Sequence, residues 1–205
     1  EGETGIDSLY FEHKTSRRSD VHVRSYAGML EEMFSGFGTE ALYQPFDSRW
    51  ALGANLTWVK QRDYNKSFSH RDYSVVTGHA SLFYASPFYN FDFAIHAGSY
   101  LAGDRGYTFE ARRTFANGFS IGGFFTRTNV SAIDFGEGSF DKGIFIRIPY
   151  GFFTKKNTRN SYATIVRPLE RDGGRRLENF TGNLWWDRRP MRLDSLLESK
   201  GRIQP

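Results

Sequence analysis

Over most of the chain, apolar or aromatic side chains alternate with small or polar ones in stretches too long for turns and with the wrong period for helices. In Trp50–Lys60, for example, Trp50 and Trp58 share one face while Asn55 and Thr57 lie on the other. A period of two marks a strand whose faces meet different surroundings. The pattern recurs at Ser8–Lys14, Val21–Met29, Met33–Tyr43, Trp50–Lys60, Tyr73–Ala85, Asn90–Leu101, Gly106–Phe115, Phe119–Thr128, Lys142–Ile148, Tyr162–Arg167 and Leu177–Trp186. Most of these segments have the length, about 9–11 residues, of a tilted strand that crosses a bilayer.

Composition narrows the class. Aromatics make up 17% of 205 residues, with 20 Phe and 11 Tyr, yet the mean hydropathy is −0.54. That combination fits a membrane β-barrel, in which lipid-facing and lumen-facing residues average out. Core packing in a soluble sandwich is the alternative. No apolar run approaches the roughly 18 residues of a spanning helix. Cysteine is absent, which excludes disulfides, cysteine metal sites and cysteine nucleophiles. The net charge of +4 is spread over loops, a weak pointer to anionic glycans or lipid headgroups and none to nucleic acid. The opening residues, Glu1–Gly5, read as the interior of a longer protein.

Two hairpins test the register. A two-residue turn at Pro87–Phe88 pairs Tyr84 with Phe91, Leu82 with Phe93 and Ala80 with Ile95; His79 then opposes His96 on the other face. A three-residue loop at Ala116–Gly118, with Gly118 left-handed in a bulge, pairs Phe115 with Phe119 and Phe109 with Phe125. Trp50 and Trp58 lie roughly 26 Å apart along their strand, a spacing that suits two interfacial girdles.

Strand parity puts the tight connections Pro45–Ser48, Pro87–Phe88 and Ala116–Gly118 at one end. Gln61–Asp72, Ala102–Arg105, Asn129–Asp141 and Leu169–Arg176 fall at the other, with Pro149–Asn160 as the exception on the short-turn side. The glycine-and-acid segments SYLAGDRG and FGEGSFDKG thereby share one mouth, where Asp104, Arg105, Glu137, Asp141, Lys142, Arg171 and Asp172 are candidate glycan contacts. A tight loop with a local Asp141–Lys142 pair is the plain alternative. FGEGSFDKG lacks the Lys-Ser/Thr pair and following helix of a phosphate loop. Candidate lumen-facing residues are Arg24, Glu40, His79, Asp92, His96, Glu110, Arg112 and Arg147, several of them a wet ion network. No catalytic group assembles, and two histidines without a third ligand do not make a metal site. No cofactor is expected. After Asp187 the alternation breaks, and Leu193, Leu196 and Leu197 have the spacing of a short amphipathic helix.

The order and spacing of YAGMLEEMFSGFGTEALYQPFDSRWALG, VKQRDY, TGHASLFY, SYLAGDRG, RRTFANG, FGEGSFDKG and RPLERDGGRRL, from Tyr26 to Leu177, resemble the C-terminal part of the YjbH/GfcD family of outer-membrane proteins encoded with capsule and exopolysaccharide export systems. The resemblance implies a barrel that takes part in passage of polysaccharide across the outer membrane of a Gram-negative bacterium. It also implies a periplasmic polysaccharide-export protein as partner. Family chains are longer, so closure calls for remaining segments of the same barrel or another chain.

The sequence-level expectation is therefore an all-β, antiparallel transmembrane β-barrel with about 11 strands in this chain, part of a larger barrel. Residues 1–187 form the barrel domain and 188–205 a periplasmic tail. It is a non-enzymatic export component among outer-membrane lipids, giving polysaccharide a passage. A membrane-embedded enzyme acting on glycan or lipid, and a plugged scaffolding barrel, are the alternatives.

Overall fold

The structure is a computed structural model that describes residues 5–115, 117–130, 141–150, 161–167 and 173–197. Ten antiparallel strands form one sheet: β1 (Leu9–Ser16), β2 (Val21–Glu31), β3 (Phe34–Tyr43), β4 (Trp50–Arg62), β5 (His70–Ala85), β6 (Phe91–Ser99), β7 (Arg105–Thr114), β8 (Ser120–Thr128), β9 (Asp141–Pro149) and β10 (Ser161–Val166). Each pairs only with its sequence neighbours, so β1 and β10 are the two edges and the sheet is not closed on itself. One expectation changes here: ten strands are described, not eleven. The open sheet agrees with the expectation that this chain does not close a barrel by itself.

The eleventh predicted strand, Leu177–Trp186, is instead a turn followed by helix α1 (Asn183–Arg188) and a 3-10 turn (Arg189–Met191). Residues 193–197 are again helical, in line with the spacing of their leucines. The buried apolar side chains of the region, Leu177, Phe180, Leu184 and Trp185, recur every three or four residues rather than every two. That spacing suits a helical segment laid along a surface, not a ladder strand.

The hairpin at Gly118 has the expected geometry. Phe115 donates its N–H to the Phe119 carbonyl at 2.8 Å, Gly118 has φ +84°, and Arg113 pairs with Ile121 and Phe109 with Phe125. The other tested hairpin is two residues out. Tyr84 pairs with Phe93 and Leu82 with Ile95, because the turn spans 86–90 with Tyr89 and Asn90 both left-handed. A shift of two leaves every side chain on its predicted face, but it separates the histidines: His79 opposes Gly98, and His96 opposes Ser81.

The two faces differ sharply. One presents Phe37, Leu52, Leu56, Val76, Ile95, Phe125, Ile144 and Val166, all exposed, with Leu52 at 57% and Leu56 at 59%. At its two levels, Trp50 lies 4.3 Å from Tyr84 and Trp58 lies 5.5 Å from Phe37, ring centre to ring centre. The opposite face carries Arg24, Glu40, Asn55, His79, Asp92, His96 and Glu110, all buried. What buries them is the C-terminal segment 173–197. Its Leu177 and Phe180 join Tyr26, Leu30, Phe34 and Val59 in one apolar cluster. Its Leu184 and Trp185 join Leu42, Phe83 and Ala94 in another.

Arg62, wholly buried at the end of β4, locks the neighbouring connections. Its guanidinium donates to the carbonyls of Ile6, Asp7, Glu31, Glu32, Lys66 and Ser67 at 2.7–3.3 Å. Five N–H groups in a rigid fork suit such a cluster of carbonyls, which a lysine could not satisfy.

A side chain at a left-handed backbone position costs about 1–2 kcal/mol. Gly118→Ala is therefore expected to lower unfolding stability by about that much, with Gly118→Asn nearer wild type, read from urea titration of tryptophan fluorescence in detergent.

Candidate functional site

The site is the concave face of the sheet together with the segment that crosses it. The connections 17–20, 44–49 and 86–90, with Phe115 and Gly118 between β7 and β8, lie at one end of the strands, the turn end. The connections 32–33, 63–69 and 100–104 lie at the loop end, as do the end of β8 at Thr128 and the start of β9 at Asp141. The C-terminal segment enters at the loop end, where Gly174 donates its N–H to Asp104 Oδ2 at 2.8 Å and Leu101 donates to the Arg175 carbonyl at 3.0 Å. Arg176 then reaches Glu110, which also accepts from Arg112 at 3.1 Å and lies 3.5 Å from His96 Nε2. Arg24 donates to the Asn179 carbonyl at 2.5 Å, and Glu40 accepts the Leu184 N–H at 3.1 Å.

Trp185 stacks on Phe83 with 5.2 Å between ring centres and lies beneath the Arg192 guanidinium at 4.3 Å. Gly182, at φ +73°, makes this approach possible, since a Cβ there would stand 2.6 Å from the His96 ring. The segment leaves at the turn end, where Asp92 accepts from both Arg189 and Arg192 at 2.6 Å. Lys14 of β1 meets Asp187 at 2.8 Å, and Arg167, just beyond β10, meets Glu178 at 2.9 Å. Both edges of the sheet thus reach the segment, which is wrapped rather than merely overlaid.

All eight candidate inward residues, Arg24, Glu40, His79, Asp92, His96, Glu110, Arg112 and Arg147, share the concave face by register. The C-terminal segment covers Arg24, Glu40, His79, Asp92, His96 and Glu110, whereas Arg147 stays exposed. His79 packs edge-on against Tyr100 at 4.8 Å, and His96 shares a 2.7 Å hydrogen bond with Ser81. Among the described residues no group of three His, Cys, Asp or Glu side chains is placed to hold a metal. Tyr100, on the 100–104 connection, is fully buried, and that burial pushes its hydroxyl up from the ordinary value.

The mouth residues divide. Asp104 and Asp141 are buried at the loop end; Asp104 caps the entering segment, and Asp141 lies 3.9 Å from Arg167. Arg105 and Lys142 are exposed on the outer side by register. Glu137, Arg171 and Asp172 lie outside the described residues. The sequence reading missed Arg62, Arg176, Arg189, Arg192 and Trp185. Asp92 and Glu110, the partners on the sheet of Arg176, Arg189 and Arg192, were already candidates, but nothing in the local sequence ties them to arginines some 66–100 positions later.

Beside the segment the filling is incomplete. A cavity of about 370 Å³ lies between it and β8–β10, and another of about 440 Å³ lies toward β1. Both are lined by Arg147, Trp186 and Asp187.

These features define an all-β protein, a two-faced antiparallel meander wrapped around its own C-terminal segment. The chain belongs to the YjbH family, described as exopolysaccharide biosynthesis protein YbjH, whose model matches residues 1–186. It is 41% identical over 177 residues to the "Uncharacterized lipoprotein YjbH" of Escherichia coli (strain K12), a match that covers 84% of this chain and 25% of that protein. The chain therefore spans about a quarter of the length of this relative. No solved structure matches it.

Removing one partner from a buried ion pair leaves the other charge unpaired, at about 3–5 kcal/mol. Asp92→Ala, which takes the carboxylate from Arg189 and leaves Arg192 with Asp194 alone, is expected to cost about that much. It should also expose the arginine-rich end of the segment to trypsin, as followed by limited proteolysis and mass spectrometry.

Proposed function

We propose that this chain is the membrane-embedded part of an outer-membrane β-barrel in the exopolysaccharide machinery of a Gram-negative envelope. It provides, without catalysis, a passage for polysaccharide. The observation that carries this reading is the exposed apolar face of a ten-stranded sheet, flanked by tryptophans at two levels. Apolar surface of that extent is stable against lipid and costly against water. The family's description supplies the polysaccharide, and the relative's name as a lipoprotein supports an envelope location. No helix among the described residues is long and apolar enough to cross a membrane, so any crossing falls to the strands.

The unpaired edges β1 and β10 call for further strands, from the rest of the same protein or from another chain, since an open edge is not tolerated in lipid. A periplasmic polysaccharide-export protein is the natural partner at one end. A second reading, a plugged scaffolding barrel, is favoured by the segment that fills the concave face. The two differ in whether sugar moves past that segment.

A substitution on the outer face tests the membrane reading. Leu56→Arg is expected to destabilise the protein in lipid vesicles by about 2–4 kcal/mol, whereas a water-facing position would tolerate it within about 0.5 kcal/mol. In cells, the protein should fractionate with the outer membrane, and its deletion should abolish secreted exopolysaccharide. A neutral Leu56→Arg, or unchanged secretion, would overturn the proposal.

A further inference from the structure

We infer that the space between the C-terminal segment and strands β8–β10 is a binding groove for a stretch of sugar chain, with Trp186 as its aromatic wall. The inference rests on the polysaccharide role proposed above and gives it a site on this chain.

The two tryptophans of helix α1 have opposite fates. Trp185 is wholly buried against Phe83. Trp186 is only partly buried and borders both cavities. Arg112 holds it in place, its guanidinium lying 4.0 Å from the Trp186 ring and 4.0 Å from the Phe145 ring. The cavities, about 370 and 440 Å³, are each of the size that takes a small ligand, about 300–1,000 Å³.

A sugar ring asks two things of a protein. Its C–H face needs a flat apolar partner, and its hydroxyls need fixed donors and acceptors. Trp186 and Phe145 supply the first. The amides of Asn179 and Asn183 on the same wall supply the second, each offering a carbonyl oxygen and an NH₂ group. The charges around the groove are largely spoken for: Asp187 by Lys14, Glu178 by Arg167, Arg189 by Asp92 and Arg112 by Glu110. With signs mixed and paired, the wall suits a hydroxyl-rich chain rather than a dense polyanion. A separate space of about 20 Å³, room for about one water, lies beside Phe124, Arg167 and Arg176.

The full chain in detergent should be titrated calorimetrically with oligosaccharides made by partial acid hydrolysis of the exopolysaccharide that the producing organism secretes. Wild type is expected to bind. Trp186→Ala should weaken binding by about tenfold or more, as loss of an aromatic stacking partner does, and Asn183→Ala by severalfold. Trp58→Ala, on the outer face, should bind as wild type does. Circular dichroism identifies a variant that has not folded, and Asn183→Ala, which removes only an amide, then carries the comparison. Two results would overturn the groove: no binding by wild type, or equal binding by the folded Trp186→Ala and Asn183→Ala variants. Either could occur while secretion still depends on the protein and Leu56→Arg still destabilises it in vesicles. In that case the groove fails and the membrane role stands.

Discussion

Pairing between carboxylates on the sheet and arginines on the C-terminal segment is the interaction on which the rest of this structure depends. Asp92 and Glu110 are almost fully buried, a position that an unpaired carboxylate cannot hold. Arg176, Arg189 and Arg192 bring the missing charge from far along the sequence. Between these anchors, Leu177, Phe180, Leu184 and Trp185 complete the two apolar clusters. The ion pairs fix where the segment lies, and the apolar side chains supply most of the stabilisation, since burial of ions alone is close to neutral.

The sheet itself follows from a single alternation with two different solvents. Outward positions are apolar and exposed, whereas inward positions are polar and covered. Every change of register by two preserves that division, and a change by one would invert it. The 86–90 turn illustrates the point: two residues in left-handed backbone move the pairing but leave Leu82, Tyr84, Phe93 and Ile95 on the outer face.

Local chemistry made much of this legible from sequence. The ten strands, the Gly118 bulge and the concave placement of Arg24, Glu40, Asp92, His96 and Glu110 all depend on a period of two and on turn residues, which neighbouring positions report. The 86–90 register was not legible, because Tyr89 and Asn90 adopt a conformation that their identities permit without requiring. The fate of Leu177–Trp186 was hidden for a different reason. Trp185 and Leu184 are placed by Phe83 and Leu42, about a hundred or more positions earlier, and contacts at that range leave no local pattern. Arg62 was equally silent, since its partners are backbone carbonyls that any residue would present.

The crossing segment is also the last of the described residues to leave the ribosome. Until it arrives, the inward carboxylates of β6 and β7 have no arginines from residues 173–197, and the two apolar clusters lack Leu177 with Phe180 and Leu184 with Trp185. The sheet therefore cannot reach its final packing strand by strand. Its completion waits on one late event, the seating of residues 173–197 through a side that the unpaired β1 and β10 edges leave accessible. Without residues 173–197, Asp92 would lose both of its arginines and Glu110 would keep Arg112 of its two, so the inward face of the ten strands is completed only by this segment.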